Sequence, residues 1–136
     1  MKNLRQIVLT FALLAVTTAS AEGQQKLTRE AYILKYKPLA VEQMDIYGIP
    51  ASIKLAQALF ESDNGNSRLA REANNHFGIK CKSDWTGRRV FHDDDARGEC
   101  FRAYGSVEAS YEDHARFLDS QPRYDSLFVY PADDYR

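Results

Sequence analysis

A chain of 136 residues with 44% hydrophobic, 27% charged and 12% aromatic content has the size and make-up of one ordinary globular domain, which excludes intrinsic disorder and a collagen-like repeat. With 18 Lys and Arg against 19 Asp and Glu the formal charge is −1, so no global positive field is available to hold a nucleic-acid backbone. Partners of that class are not expected.

The N-terminus reads as an address label. Lys2 and Arg5 form a positive start, Ile7 to Val16 is apolar apart from Thr10, and Ala19-Ser20-Ala21 supplies a small-x-small cleavage pattern. A signal peptide over 1–21 and a globular domain over 22–136 are therefore predicted. The apolar run is short for a membrane span, so the expectation is export without stable membrane insertion after cleavage. Cys81 and Cys100 then lie in the exported part, where an even pair closes into a disulfide. Such a bridge constrains the unfolded chain by about 3 kcal/mol on the entropy model. His76, His92 and His114 have no ligand spacing relative to these two cysteines, and no metal or other cofactor is expected.

Along the rest of the chain, Thr28 to Tyr47 is helical in pattern, with Thr28 as N-cap and Glu30 in the first turn. Pro38 is expected to split or kink it. Gly48 suits a helix end and Pro50 the start of a second helix, running to about Asp63. A short helical turn is expected at Ser67 to Ala73, between Asn-rich loops. Phe77-Gly78-Ile79, Arg89-Val90-Phe91 and Cys100-Phe101-Arg102 are strand-like, and predict a β-hairpin or a three-stranded lobe. Ser106 caps a further helix to about Leu118, and Gln121 to Tyr130 is a shorter aromatic segment. The fold class expected is mainly α (α+β), a helical domain whose small β-lobe forms one wall of a cleft.

The second helix carries the chemistry. Ala56-Gln57-Ala58-Leu59-Phe60-Glu61-Ser62 puts one carboxylate at the end of an apolar helix, before the polar turn Asp63-Asn64-Gly65-Asn66-Ser67. Apolar neighbours and the negative helix end both disfavour its charged form, which predicts a raised pKa and a general acid at Glu61. On the lobe, Val90, His92 and Asp94 share one face if the strand continues by period two, so Asp94 points with them and Asp93 and Asp95 point away. Asn75 has an amide suited to a sugar, and Phe77 and Trp85 have rings that can stack on one. His114 reads as a satisfied helix histidine.

These pieces resemble, in order along nearly all of the expected mature chain, the bacterial peptidoglycan-hydrolysing β-N-acetylglucosaminidases of the lysozyme superfamily, glycoside hydrolase family 73. The segments that carry the resemblance are the one ending at Glu61-Ser62 with Gly65 and Ser67; Asn74-Asn75-His76-Phe77-Gly78-Ile79-Lys80 with Trp85 and Gly87; Phe101-Arg102-Ala103-Tyr104 with Ser106; Asp113-His114 with Phe117-Leu118; and Arg123-Tyr124. The resemblance implies a lysozyme-like fold, Glu61 as catalytic acid, a second carboxylate on the lobe among Asp93, Asp94, Asp95 and Glu99, and Tyr124 in a supporting catalytic role. It implies a monomer acting on peptidoglycan glycan strands, periplasmic or outside the cell. Inverting, retaining and substrate-assisted routes all stay open. So do a lytic transglycosylase on the same fold and a non-catalytic wall-binding module. The sequence departs from the family pattern at Asn64, where an aromatic is usual, and it reads as shortened after Asp133-Asp134-Tyr135.

Overall fold

The computed structural model describes residues 25–129 and 131. The expected signal peptide and the expected early end of the chain lie outside the described residues.

Helix α1 spans Arg29–Tyr47. Its start is fixed by the Thr28 hydroxyl, which accepts from the Ala31 amide at 3.1 Å, and its end by Gly48 in the left-handed region at φ 70°. Pro38 neither splits it nor ends it. The residue sits on the solvent side with Leu34, whose carbonyl loses its helical donor there, and water can satisfy that group. The opposite face buries Tyr32, Tyr36, Ala40 and Gln43. Helix α2, Ala51–Ser62, packs against α1 through buried Lys54, Ala58 and Ser62 at four-residue spacing. A short α3, Arg68–Ala73, starts under the Ser67 cap.

The lobe is a two-stranded antiparallel hairpin, β1 Arg89–His92 and β2 Glu99–Arg102, with Val90 opposite Phe101 and Phe91 opposite Cys100. The third strand is not formed. Gly78 at φ 61° breaks the extended run, and only Lys80 makes an isolated bridge to Phe101. Cys81 is joined to Cys100, with their Cα atoms 5.3 Å apart, and the Cys81 amide donates to the Cys100 carbonyl at 2.8 Å. This fastens the loop after Lys80 to β2. Helix α4, Val107–Asp119, begins under the Ser106 cap and returns across α1, and a 3₁₀ turn at Pro122–Phe128 closes against it.

One core cluster unites Tyr32, Tyr36, Ala40, Ala58, Phe77, Ile79 and Tyr111, and a second holds Ile49, Ala115 and Leu118 under Tyr47, Phe117, Tyr124 and Phe128. The first is unusually polar. The Tyr32 hydroxyl bonds His76 Nδ1 at 2.6 Å and the Tyr111 hydroxyl at 3.1 Å. Arg102 reaches from β2 to both carboxylate oxygens of Asp113 on α4, at 3.1 and 3.0 Å, and the Tyr104 hydroxyl donates to the same carboxylate.

Asn75, expected at a sugar, is instead a buried staple at 1% exposure. Its Nδ2 donates to the carbonyls of Ile79 (3.0 Å) and Arg102 (2.9 Å), and its Oδ1 accepts from the amides of Phe77 (3.4 Å) and Ile79 (3.1 Å). All of its polar capacity is spent inside the protein. Asn75→Ala would strand several buried backbone groups, and a loss of about 2–4 kcal/mol is expected in urea unfolding. A loss below about 1 kcal/mol would show that water replaces the amide.

Candidate active site

Glu61 occupies the last turn of α2, and the chain reverses at once through Asp63 and Asn64, both with positive φ. Ser62 anchors the turn: its hydroxyl donates to the Ala58 carbonyl and accepts from the Gly65 amide at 2.7 Å. This holds Glu61 outward while Ser62 is buried. The apolar enclosure expected around Glu61 is absent. Its side chain is exposed, and neighbouring Phe60 is 86% exposed on the helix's outer face.

What Glu61 does have is a fixed neighbour. A Cβ placed on Gly78 would stand 3.6 Å from Glu61 Oε2, so the carboxylate lies over the bare Gly78 backbone. Gly78 lines a groove of about 450 Å³ together with Gln57, one turn before Glu61, and with Phe77, Lys80, Lys82, His114, Phe117 and Tyr124 among others. An apolar trough with a few polar side chains is the usual form of a small-ligand site. Gly78 and Tyr124 thus line one groove although they are far apart in sequence, and Glu61 stands beside it over Gly78 without lining it. Tyr124 stands on the 3₁₀ turn, against Phe117, with the Arg123 guanidinium 4.8 Å from its ring centre.

The other candidates are placed differently. Phe77 lines the groove but is 7% exposed, with the His114 ring stacked on it at 4.0 Å and the Lys54 ammonium 5.1 Å from its centre. Its faces are taken. Trp85 lies at a separate hollow with Tyr104 and Asp113, not in the groove. Its indole donates to the Arg88 carbonyl at 2.9 Å and stacks under Arg102 at 4.7 Å, and a Cβ at Gly87 would meet that ring at 2.4 Å. Sugar stacking by Trp85 in this groove is therefore not what the fold arranges.

On the lobe, β1 ends at His92, so the period-two pattern does not reach Asp94. Asp94 is positioned by charge instead. The Lys80 ammonium meets Asp95 at 2.9 Å and Asp94 and Glu99 at 3.1 Å, whereas Asp93 turns away to accept from the Gly98 amide at 2.7 Å. The hydrogen bonds that the Lys80 ammonium donates to Asp95, Glu99 and Asp94 push its pKa up, and the same contact holds Asp95 below the usual carboxylate range. Asp94, Asp95 and Glu99 also lie within 4.8 Å of one another, a grouping that attracts cations, and the cation it faces is Lys80.

Residues 37–136 match the family model described as mannosyl-glycoprotein endo-beta-N-acetylglucosaminidase. The chain belongs to this glucosaminidase family. It is 30% identical over 118 residues to the peptidoglycan hydrolase FlgJ of Vibrio cholerae, covering 79% of this chain and 35% of that protein. It is 36% identical over 83 residues to the exo-glucosaminidase LytG of Bacillus subtilis, covering 61% of this chain and 28% of LytG. The chain thus spans about a third of the length of such relatives. Among solved structures, the glycoside hydrolase domain of Salmonella typhimurium FlgJ aligns with a TM-score of 0.68 at 25% identity, over 79% of this chain and 71% of that one. The peptidoglycan hydrolase of Sphingomonas sp. A1 aligns at 0.63 and 34% identity, over 70% and 64%. The mostly helical glucosaminidase fold with a small β-lobe is therefore the architecture seen here.

Two features of this glucosaminidase site escaped the sequence. Lys54 looks like a surface lysine, yet it is fully buried; its ammonium donates to the Tyr111 carbonyl at 2.8 Å, and burial pulls its pKa down to about 7. Its four-residue spacing to Ala58 and then Ser62, on the buried face of α2, was the available signal. His76 is buried too. Burial, with the Lys35 charge adding to it, takes His76 from 6.5 down to about 4. The unfolded chain therefore takes up that proton first, so stability falls as pH drops below 6.5, and the loss is complete near 4. Urea midpoints across that window are expected to fall less steeply in His76→Gln. An unchanged slope would remove His76 from the pH response.

Proposed function

We propose that this chain is an exported glycoside hydrolase that cuts the β-1,4 bond of peptidoglycan after N-acetylglucosamine, with Glu61 as general acid. The observation that carries the proposal is the Glu61 carboxylate lying over Gly78 at the edge of a groove that Tyr124 also lines. Family membership supports the reaction class, and the name of the FlgJ relatives supports the polymer.

In this mechanism a glycan strand lies along the groove with its scissile oxygen at Glu61. The acid gives its proton to that oxygen as the bond to the anomeric carbon breaks, and water ends on the anomeric carbon. Glu61 is open to solvent in the free protein, so the strand itself supplies the cover that favours its protonated form. Asp94 is the second carboxylate of the proposal, oriented by Lys80, and it directs either the water or the acetamido arm of the substrate. Tyr124 steadies that arm. Export rests on the leader pattern of residues 1–21, and no described helix is long and apolar enough to cross a membrane.

A single-acid variant has its own support, because Lys80 pairs with Asp94, Asp95 and Glu99 together. With those charges partly neutralised, a route needing only Glu61 becomes competitive, and a lytic transglycosylase is the reaction of that kind. Product analysis separates the two: reducing ends that carry oxygen from labelled water mark hydrolysis, and anhydro-muramyl ends mark the transglycosylase.

Glu61→Gln is expected to slow clearing of a cell-wall suspension by at least about 100-fold with the fold intact. Equal clearing by both proteins would take Glu61 out of the chemistry. Asp94→Asn is expected to lower turnover far more than Asp93→Asn, measured on the same suspension. Equal and mild effects would return the acidic turn to a purely structural role.

A further inference from the structure

Among the polar side chains of the groove that the proposed reaction leaves idle, one is buried in its wall. His114 on α4 lines the groove and is 8% exposed. Its ring lies flat on Phe77, 4.0 Å away at 7°. Its Nδ1 is sealed from solvent with no hydrogen-bond partner among the described residues, so the expectation of a satisfied helix histidine does not hold. A sealed, unpaired ring nitrogen is costly unless the rest of the ring gains something by the arrangement.

The charge on its inner side decides how the ring is protonated. The Lys54 ammonium is fully buried, binds the carbonyl of Tyr111 one turn before His114, and has no carboxylate partner among the described residues. Burial, helped by that cation, takes His114 down to about 3. The imidazole is thus held neutral. The sealed Nδ1 has no acceptor among the described residues, so a proton there would be stranded, which favours the lone pair at Nδ1 and the proton on Nε2. The ring edge that meets the groove then carries a hydrogen-bond donor, among the apolar surfaces of Phe77, Phe117 and Leu118.

An acetamido group matches that surface: its methyl seeks apolar cover and its carbonyl oxygen seeks a donor. We propose that His114, as the Nε2–H tautomer, donates a hydrogen bond from the groove to the acetamido carbonyl of a bound N-acetylhexosamine, and so selects N-acetylated over de-N-acetylated glycan. Lys54 acts on His114 as a positioning residue whose buried charge keeps the ring neutral. The proposal rests on the groove being the glycan site.

The test uses the full chain carrying Glu61→Gln, so that glycan is bound without being cut, with ¹⁵N-labelled histidine. NMR of the free protein should report His114 as the Nε2–H tautomer, a reading that needs no change at His114. Chitotetraose should shift the His114 Nε2 resonance, and its de-N-acetylated counterpart should not. In calorimetry, His114→Phe, which keeps a flat ring on Phe77, should weaken chitotetraose binding about tenfold, and His114→Gln, which restores an N–H near Nε2, should recover most of it. An Nδ1–H tautomer, or equal binding of chitotetraose by all three proteins, overturns the proposal while leaving Glu61 its role. Binding of neither glycan, together with no wall clearing by the native chain, would overturn the glycan site and this proposal with it.

Discussion

The amide of Asn75 is the hinge pin of the molecule. It grips the Phe77 and Ile79 amides, the Ile79 carbonyl and the Arg102 carbonyl, and so fixes the turn after α3 to the second strand of the lobe. Inside that turn Gly78 takes a left-handed conformation that presents bare backbone to Glu61. The loop and the lobe are thereby held in register by directional bonds. Neither a hydrophobic contact nor a surface ion pair has the angular precision for this. The disulfide next to it adds a covalent limit on how far the lobe can move from the loop.

A small domain that builds a cleft also has little interior to spend, and here the interior is partly polar. Tyr32, His76 and Tyr111 form a connected set of hydrogen bonds, and Lys54 is dissolved among aromatic rings and one carbonyl. Such a network specifies side-chain orientation more sharply than an all-aliphatic core, because each member is costly to leave unpaired. The same low-dielectric surroundings keep His76 and His114 neutral. Burial that looks wasteful for stability gives the groove wall a fixed protonation state.

Local signals were legible in the sequence, and tertiary ones were not. Thr28, Ser67 and Ser106 act as caps, and Gly48 ends α1, because capping needs only the few residues around it. The hairpin and the cysteine pair followed from short-range pattern as well. Phe77-Gly78-Ile79 looked like a strand because alternation says nothing of the positive φ that Glu61's neighbour requires. Pro38 looked like a breaker because its solvent-facing position in a packed helix cannot be seen in one dimension. Asn75 and Trp85 had the right chemistry for sugar, yet their polar groups were already committed to backbone carbonyls. Lys54 escaped for the complementary reason: residue type predicts exposure, and burial was decided by partners distant in sequence, while His114 was legible as an inward helix residue but not as one left without a partner at Nδ1.

The two acidic elements of the site are held in opposite ways, and this bears on how proton transfer is organised. Glu61 is open to water and makes no ion pair among the described residues, whereas Asp94, Asp95 and Glu99 share the Lys80 ammonium. That cation fixes where the lobe carboxylates stand and holds Asp95 below the usual carboxylate range. Under the proposed reaction a glycan laid in the groove would remove water from Glu61 while the lobe carboxylates keep their ammonium, so the substrate itself would single out the acid, whose carboxylate already stands over the bare Gly78 backbone.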